Sequence, residues 1–404
     1  MVQNRNVRFT GLYLFALALT TMALAAPARR TPTSTAKNPA AGALVKLNRV
    51  PEGGLQPQTV VDSAGTQHLI YYKGDAGAGD IFYVRRSTKT PDYTKPIRVN
   101  SQPGSAIAAG TIRGAQLAVG KGNRVHVAWN GSGTAEPKGP GKYANPMLYT
   151  RLNDAGTAFE PQRNVITQAY GLDGGGSVAA DAEGNVYVAW HGGSQADGEE
   201  NRRVYVVHSS DDGQSFSSET PADVQRNGVC GCCGLRAFVD DNGKLYLIYR
   251  SAREEVNRDM YLLTSADRAS SFKGVLLDKW MTPKCPMSNE AFANAPGAVL
   301  AAWETNGQVQ FARIDKKTGQ ARKAIAAPGG ANGRKHPALA VNTRGETLLV
   351  WDEGTGWQKG GSLAWQVFDA SGKPTKDRGQ SDGIPVWSFA GAYAEPDGSF
   401  VIVY

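Results

Sequence analysis

Charge is scarce in this chain. Only 20% of its 404 residues are charged, and the 44 Lys and Arg are scattered among 36 Asp and Glu. No basic run and no basic stripe interleaved with aromatics occurs, which argues against nucleic acid as a partner. No long segment repeats an apolar residue every 3.6 positions, so helices do not build the core. Phosphate-loop, nucleophile-elbow, zinc-protease and complete EF-hand patterns are missing too. Asp197, Glu199 and Glu200 beside Gly198 are the nearest approach to a calcium loop, and they read more simply as a solvated one. Disorder is excluded by a hydrophobic content of 41%. Cysteine is rare, four residues in all, yet three of them fall within four positions.

The stretch 1–25 reads as a cleavable signal peptide. Arg5 and Arg8 precede an apolar run over 11–25, and Ala23-Leu24-Ala25 supplies the small-residue cleavage pattern. The run is too short to cross a bilayer, and no later stretch is long enough, so the mature chain is expected to have no membrane span. Residues 26–42, rich in Thr, Pro and Ala, form a flexible lead-in. The expected location is periplasmic or extracellular, an oxidising compartment.

The remainder, 43–404, reads as one domain built from a repeat. A turn Gly is followed by alternating apolar residues and an aromatic, as in Gly184 to Trp190 or Gly345 to Trp351. The aromatics recur at near-regular spacing, at Tyr71, Trp129, Trp190, Tyr249, Trp303, Trp351 and Tyr404. Each unit holds further short strands, such as Tyr205-Val206-Val207 and Pro96-Ile97-Arg98-Val99. Four antiparallel strands per unit of about 50 residues is the blade of an all-β propeller. Seven blades are expected, with six as the alternative should one copy pack irregularly. The last unit stops at Tyr404, so the apolar-alternating stretch 44–50 is expected to close the ring.

Ser209-Ser210-Asp211-Asp212-Gly213-Gln214-Ser215-Phe216 resembles the Asp-box, S-x-D-x-G-x-[ST]-[WF], of the sialidase-like propeller superfamily. Two degenerate copies keep the blade register: Ser265, Asp267 and Phe272 in one, with Ala269 replacing Gly, and Asp154, Gly156 and Phe159 in the other. In such a box the carboxylate and hydroxyl bond the turn backbone, Gly takes a positive φ, and the aromatic plugs between sheets. The resemblance implies a propeller with its binding site over the channel, on the face opposite the boxes. For the family's enzymes it implies three Arg, the first in an Arg-Ile-Pro motif, with a Tyr nucleophile activated by Glu and an Asp acid/base. Here the nearest stretch is Pro96-Ile97-Arg98, reversed and on an outer strand, and no Arg triad is assignable.

On that face lie the residues after each repeating aromatic, including His191, Arg250, Glu304 and Asp352, and the loops that enter each first strand. Cys230, Cys232 and Cys233 precede the first strand of the fourth unit, and Cys285 with Met287 precedes that of the fifth. The four sulfurs are therefore expected to converge, above an Arg236–Glu290 pair. Disulfides are one reading, favoured by the compartment. A soft-metal site for copper or zinc, with Met287, His191 or His336 nearby, is the other. The chain is expected to bind a ligand, a partner or a metal through His191, Arg236, Arg250, Glu290 and His336 beside the sulfurs. The alternative is a sialidase-like glycoside hydrolase, for which Arg236, Arg250, Glu290, Glu304 and Asp352 are the candidate catalytic groups. The partner is then a glycan, a small ligand or a protein.

Overall fold

The structure, a computed structural model, describes residues 44–404 apart from 88, 89, 91, 141–143, 194–197 and 332. The expected signal peptide and lead-in lie outside the described residues, as does Asp197. Seven sheets follow one another along the chain. The first blade is Leu55–Val61, Thr66–Asp75, Ala78–Ser87 and Ile97–Arg98, and the second is Gln116–Val119, Val125–Asn130, Met147–Arg151 and Arg163–Asn164. The third is Gly176–Ala180, Val186–Gly192, Arg203–Ser209 and Thr220–Pro221, and the fourth is Leu235–Val239, Leu245–Arg250, Met260–Ser265 and Lys273–Asp278. The fifth is Ala291–Ala295, Ala298–Thr305, Gln308–Asp315 and Ile325–Ala326, and the sixth is Arg334–Val341, Thr347–Glu353, Gly361–Phe368 and Pro374–Ile384. In these six blades all neighbouring strands run antiparallel. Each first strand packs on the first strands of both neighbouring blades, so the ring closes.

The seventh blade departs from the expected four strands. It holds Gly391–Ala394, Phe400–Val403 and the N-terminal strand Val45–Asn48, which pairs parallel to Phe400–Val403. Leu44 O accepts from Phe400 N at 2.7 Å, and Asn48 O accepts from Tyr404 N at 3.0 Å. Closure is driven by apolar burial: Val45 packs with Ala340, Phe400, Ile402 and Tyr404 between the sixth and seventh blades. The strand must enter parallel because the chain leaves it toward the start of the first blade.

Local chemistry explains the repeat. Asp62, Asp181, Asp240 and Asn342 each accept from the backbone N–H groups two and four residues on, at 2.8–3.0 Å. The third residue after each is the repeated Gly, whose positive φ (75° to 98°) turns the hairpin back. The repeating aromatic on the next strand then points between blades, and all seven are at most 4% exposed. Replacing such a ring by Ala ordinarily costs about 3–5 kcal/mol. Among the described residues, no helix is long and apolar enough to cross a membrane.

Two Asp-boxes have the expected chemistry. Asp211 accepts from the Ser209 hydroxyl at 2.7 Å and from Ser215 N at 2.9 Å, while Gly213 N donates to Ser209 Oγ at 2.8 Å. Asp267 and Ser265 repeat this geometry around Ala269, which adopts a φ of 64°. Phe216 meets Tyr149 edge-on at 4.9 Å. The third copy corrects the sequence reading. Asn153, not Asp154, accepts from Thr157 N at 3.0 Å, and Asp154 points out to pair with Arg124. Without the leading Ser the turn is capped one residue earlier, which frees the carboxylate.

Candidate functional site around the clustered sulfurs

Up-and-down blades send the segments after every second strand, and those entering every first strand, to one end of the ring. The 230–234 segment enters the fourth blade there, tied to its neighbours by backbone bonds. Cys230 N donates to Arg250 O at 3.0 Å, Gly175 N to Cys233 O at 3.0 Å, and Gly234 N to Ser288 O at 2.9 Å. Two glycines let it pack so closely: a Cβ on Gly234 would lie 2.7 Å from the Glu290 carboxylate, and one on Gly231 would overlap Arg202.

The Cys230 sulfur lies 3.3 Å from that of Cys232 and 3.0 Å from that of Cys233. All three sulfurs fall within 4.8 Å of one another, and Cys230 and Cys233 are fully buried. All four cysteines are free thiols. Cys285 is exposed, beside Cys232 but outside the group of three. Hydrogen bonds from Cys232 and Cys233, and then the Arg258 guanidinium, hold the Cys230 thiol well below its usual range. Burial pushes Cys233 up. Desolvation and the adjacent Cys232 raise Cys285 to about 11.

Three arginines surround the sulfur-bearing loop. Arg250 is fully buried, donates from Nη1 to Arg258 O at 2.8 Å, lies over the Trp280 ring at 5.0 Å and faces Glu304 Oε2 at 3.7 Å. Arg258 pairs with Glu199, which also accepts from Gly231 N at 2.8 Å. Arg202 bridges Asp173 at 3.2 Å and Glu199 at 3.7 Å. Arg202 and Arg258 carried no motif in the sequence, and Glu199 read as a solvated loop residue. Only the packing of blade three on blade four brings them to the sulfur-bearing loop.

The remaining expected residues divide. His191 is buried against the Gly174 and Cys230 backbone, with both ring nitrogens lacking a hydrogen bond, and burial lowers its pKa to about 3. Neither His191 nor His336 joins the close group of ligand atoms. Met287, two residues past Cys285, takes a φ of 50°. The expected Arg236–Glu290 ion pair is not formed: Arg236 Nε donates to the Glu290 main-chain carbonyl at 3.0 Å. The Glu290 carboxylate is enclosed with both oxygens lacking a hydrogen bond, and burial raises its pKa to about 8. Glu304 and Asp352 are raised by burial too, and both oxygens of Asp352 lack a hydrogen bond.

The first strands enclose a channel of about 870 Å³ walled by small residues such as Ala237, Ala291, Ala338 and Ala392, with Arg236, Asn289 and His336 toward the sulfur end. The segment around Thr111, entering the second blade, lies across that end. Thr111 O accepts from Asn289 Nδ2 at 3.1 Å, and its hydroxyl lies 3.4 Å from His336 Nε2. Arg236 and His336 therefore face an internal channel, while the sulfurs sit beside the plug.

No family model matches the chain, and no curated protein does. Solved structures do. A Dyadobacter fermentans protein of unknown function is 13% identical over 83% of this chain and 96% of that one, with a TM-score of 0.51. A Hadza microbial sialidase is 13% identical over 79% of this chain and 66% of that one, at 0.52. The Penicillium chrysogenum α-L-arabinanase, solved with arabinobiose, is 13% identical over 80% of this chain and 95% of that one, at 0.53. What this chain shares with them is the fold, the propeller that the Asp-boxes imply.

Proposed function

We propose that this is an exported propeller that holds a soft metal ion, copper or zinc, through Cys230, Cys232 and Cys233. The observation that carries this is three sulfurs on one backbone-tied loop, within 4.8 Å of one another. Thiolates are the preferred ligands of both ions, and binding displaces their protons. Arg250 and Arg258 supply the compensating charge, and the already depressed Cys230 thiol is the first to ionise. Cys285, at the exposed edge beside Cys232, completes a fourth position or receives the ion on entry. Export rests on the leader read over 1–25. In an oxidising compartment a bound ion would also keep three adjacent thiols from bridging.

The fold likeness to a sialidase and an arabinanase raises glycoside hydrolysis as a second reading. The enclosure of Glu290 and Glu304 favours binding over hydrolysis, since a catalytic carboxyl must reach substrate or water. Metal analysis and thiol counting on protein purified from the exported compartment decide the matter. About one equivalent of copper or zinc, lost in Cys230→Ser, is expected. A metal-free protein with two or more cysteines in disulfides would overturn the metal reading.

A further inference from the structure

The three clustered cysteines differ in where they stand on one turn. Cys233 N donates to Cys230 O at 3.4 Å, which closes a β-turn over 230–233. Such a turn holds its first and last Cα atoms less than about 7 Å apart, a separation that an unstrained disulfide spans. The Cys230 and Cys233 sulfurs already face each other at 3.0 Å. Both ends of the turn are pinned, Cys230 N to Arg250 O and Cys233 O to Gly175 N, so a bridge between them closes within a fixed frame.

Cys232 holds the third position of the turn and faces both ways. Its sulfur is 3.3 Å from that of Cys230, and Cys285 lies beside it. Exposure is graded in the same order. Cys285 is exposed, Cys232 is half-buried, and Cys230 and Cys233 are fully buried. Cys285 sits on a short segment anchored at both ends. Thr282 N donates to Val256 O at 2.8 Å, and Ser288 O accepts from Gly234 N. That segment presents one sulfur to solvent and to Cys232 together, so a thiol arriving from solvent reaches the inner pair by way of Cys232. Positive charge lies where thiolates would be released, with Arg258 beside Cys230 and Arg250 beside Cys233.

We propose that the ion-free cluster is a thiol–disulfide exchange centre that pairs Cys230 with Cys233 and Cys232 with Cys285, and that draws electrons from external dithiols. The proposal concerns the empty cluster and does not rest on the metal reading. In the oxidised form an incoming thiolate attacks the exposed Cys285 sulfur, and Cys232 leaves as a thiolate. The second thiol of the same dithiol attacks the donor sulfur of that mixed disulfide. Cys285 leaves in turn, a new external disulfide departs, and the donor's two protons pass to Cys232 and Cys285. The inner pair opens through Cys232, whose thiolate attacks the Cys230 sulfur 3.3 Å away while Cys233 leaves beside Arg250. The tight Cys230–Cys232 bridge so formed has its outer sulfur at the accessible edge, and a second dithiol reduces it by the same two attacks. Two dithiols thus give up four electrons and four protons, and four cysteine thiols result. An external disulfide runs these steps backward and reloads the cluster.

The exported chain, stripped of metal by a chelator and treated with oxidised glutathione, reads the pairing by peptide mass spectrometry. Both bridges are expected, Cys230–Cys233 and Cys232–Cys285. Cys285→Ser, at an exposed position that should leave the fold intact, should keep the inner bridge and free Cys232. Reduction is then followed by thiol counting, with dithiothreitol or reduced ribonuclease A as the donor. The oxidised parent chain should release four thiols. In Cys232→Ser the inner bridge should open at least about tenfold more slowly. Cys232→Ala should behave alike, with both variants melting as the parent does. Transfer from both donors would assign a protein dithiol as the natural one, and transfer from dithiothreitol alone a small dithiol. Other pairings, four thiols still free after oxidation, or an inner bridge reduced as fast without Cys232 would each overturn the proposal. Metal content is measured separately on untreated protein. No metal together with the expected bridges would defeat the metal reading alone, and bound metal together with other pairings would defeat this one alone.

Discussion

Arg236 of the fourth blade donates from Nη1 to the Gln58 side-chain oxygen of the first blade, 3.0 Å away. The two residues are 178 positions apart, and their bond spans the channel. With Arg236 Nε on the Glu290 carbonyl, one guanidinium ties three blades together near the axis. Arg236→Met should therefore loosen the ring at its centre. A loss of about 1–3 kcal/mol in urea unfolding is expected, from the partners left unpaired. An unchanged midpoint would show that the cross-channel bond carries no stability.

Glu290 gives the fold a pH dependence of definite sign. Its carboxyl titrates near 8 in the folded protein, against about 4.3 in an unfolded chain. The folded state thus holds the extra proton between those values, and its stability falls as pH rises from about 5 to 8. The limiting slope for one group is about 1.4 kcal/mol per pH unit. Glu290→Gln keeps the shape and removes the titration, so its advantage over the parent chain should grow across that range. Parallel stability curves for the two proteins would contradict the enclosed, uncharged carboxyl.

Cys285 should be slow to alkylate although it is exposed. With its thiol raised to about 11, only a small fraction is thiolate at pH 7, and the rate should climb about tenfold per pH unit up to that value. Mass spectrometry after brief iodoacetamide treatment at several pH values reads this directly. A midpoint near 8.5, the ordinary thiol value, would mean that Cys232 is not beside it.

The Asp-box turns predict unequal effects of a single methyl group. Gly213 has a φ of 78°, and a Cβ there would overlap the Tyr149 hydroxyl. Gly213→Ala should cost about 2–4 kcal/mol, from left-handed strain and overpacking together. Ala269 already occupies the matching position at φ 64°, with its methyl buried. Ala269→Gly should be close to neutral, because relief of strain offsets the lost burial and the freer unfolded chain. Thermal unfolding of the two variants separates them, and equal losses would refute the account.

Ring closure rests on the N-terminal strand. A chain lacking residues 1–50 exposes the edge of Phe400–Val403 and loses the apolar contacts of Val45. Stability should fall by about 3 kcal/mol or more. A truncated chain that melts with the full one would rule out closure by this strand.

The blade was legible because its signals are local. An Asp or Asn, a Gly three positions on and an aromatic six beyond that Gly lie on one hairpin. The strand's fixed rise and its side-chain period of two carry them to their places without help from distant chain. Asp62, Gly65 and Tyr71 show this, as do Asn342, Gly345 and Trp351. Where a local signal decayed, the reading slipped by one residue, as when Asn153 took the capping role expected of Asp154. Clustering of Cys230, Cys232 and Cys233 was legible for the same reason, being a matter of adjacency on one loop.

The sequence by itself determined the strands, the turns, the number of repeats and which end of each blade carries the variable residues, since each of these depends on neighbours along the chain. Tertiary structure alone decided what meets at that end. Arg258 acts on the Cys230 sulfur and Arg202 packs on Gly231 of its loop, Arg236 bonds a carbonyl where a carboxylate was expected, Thr111 plugs the channel, and Trp357 rests over Gly110 from a distant blade. Those meetings depend on closing seven twisted sheets into a ring. The geometry of that closure is a sum over every interface between blades and is written in no single segment.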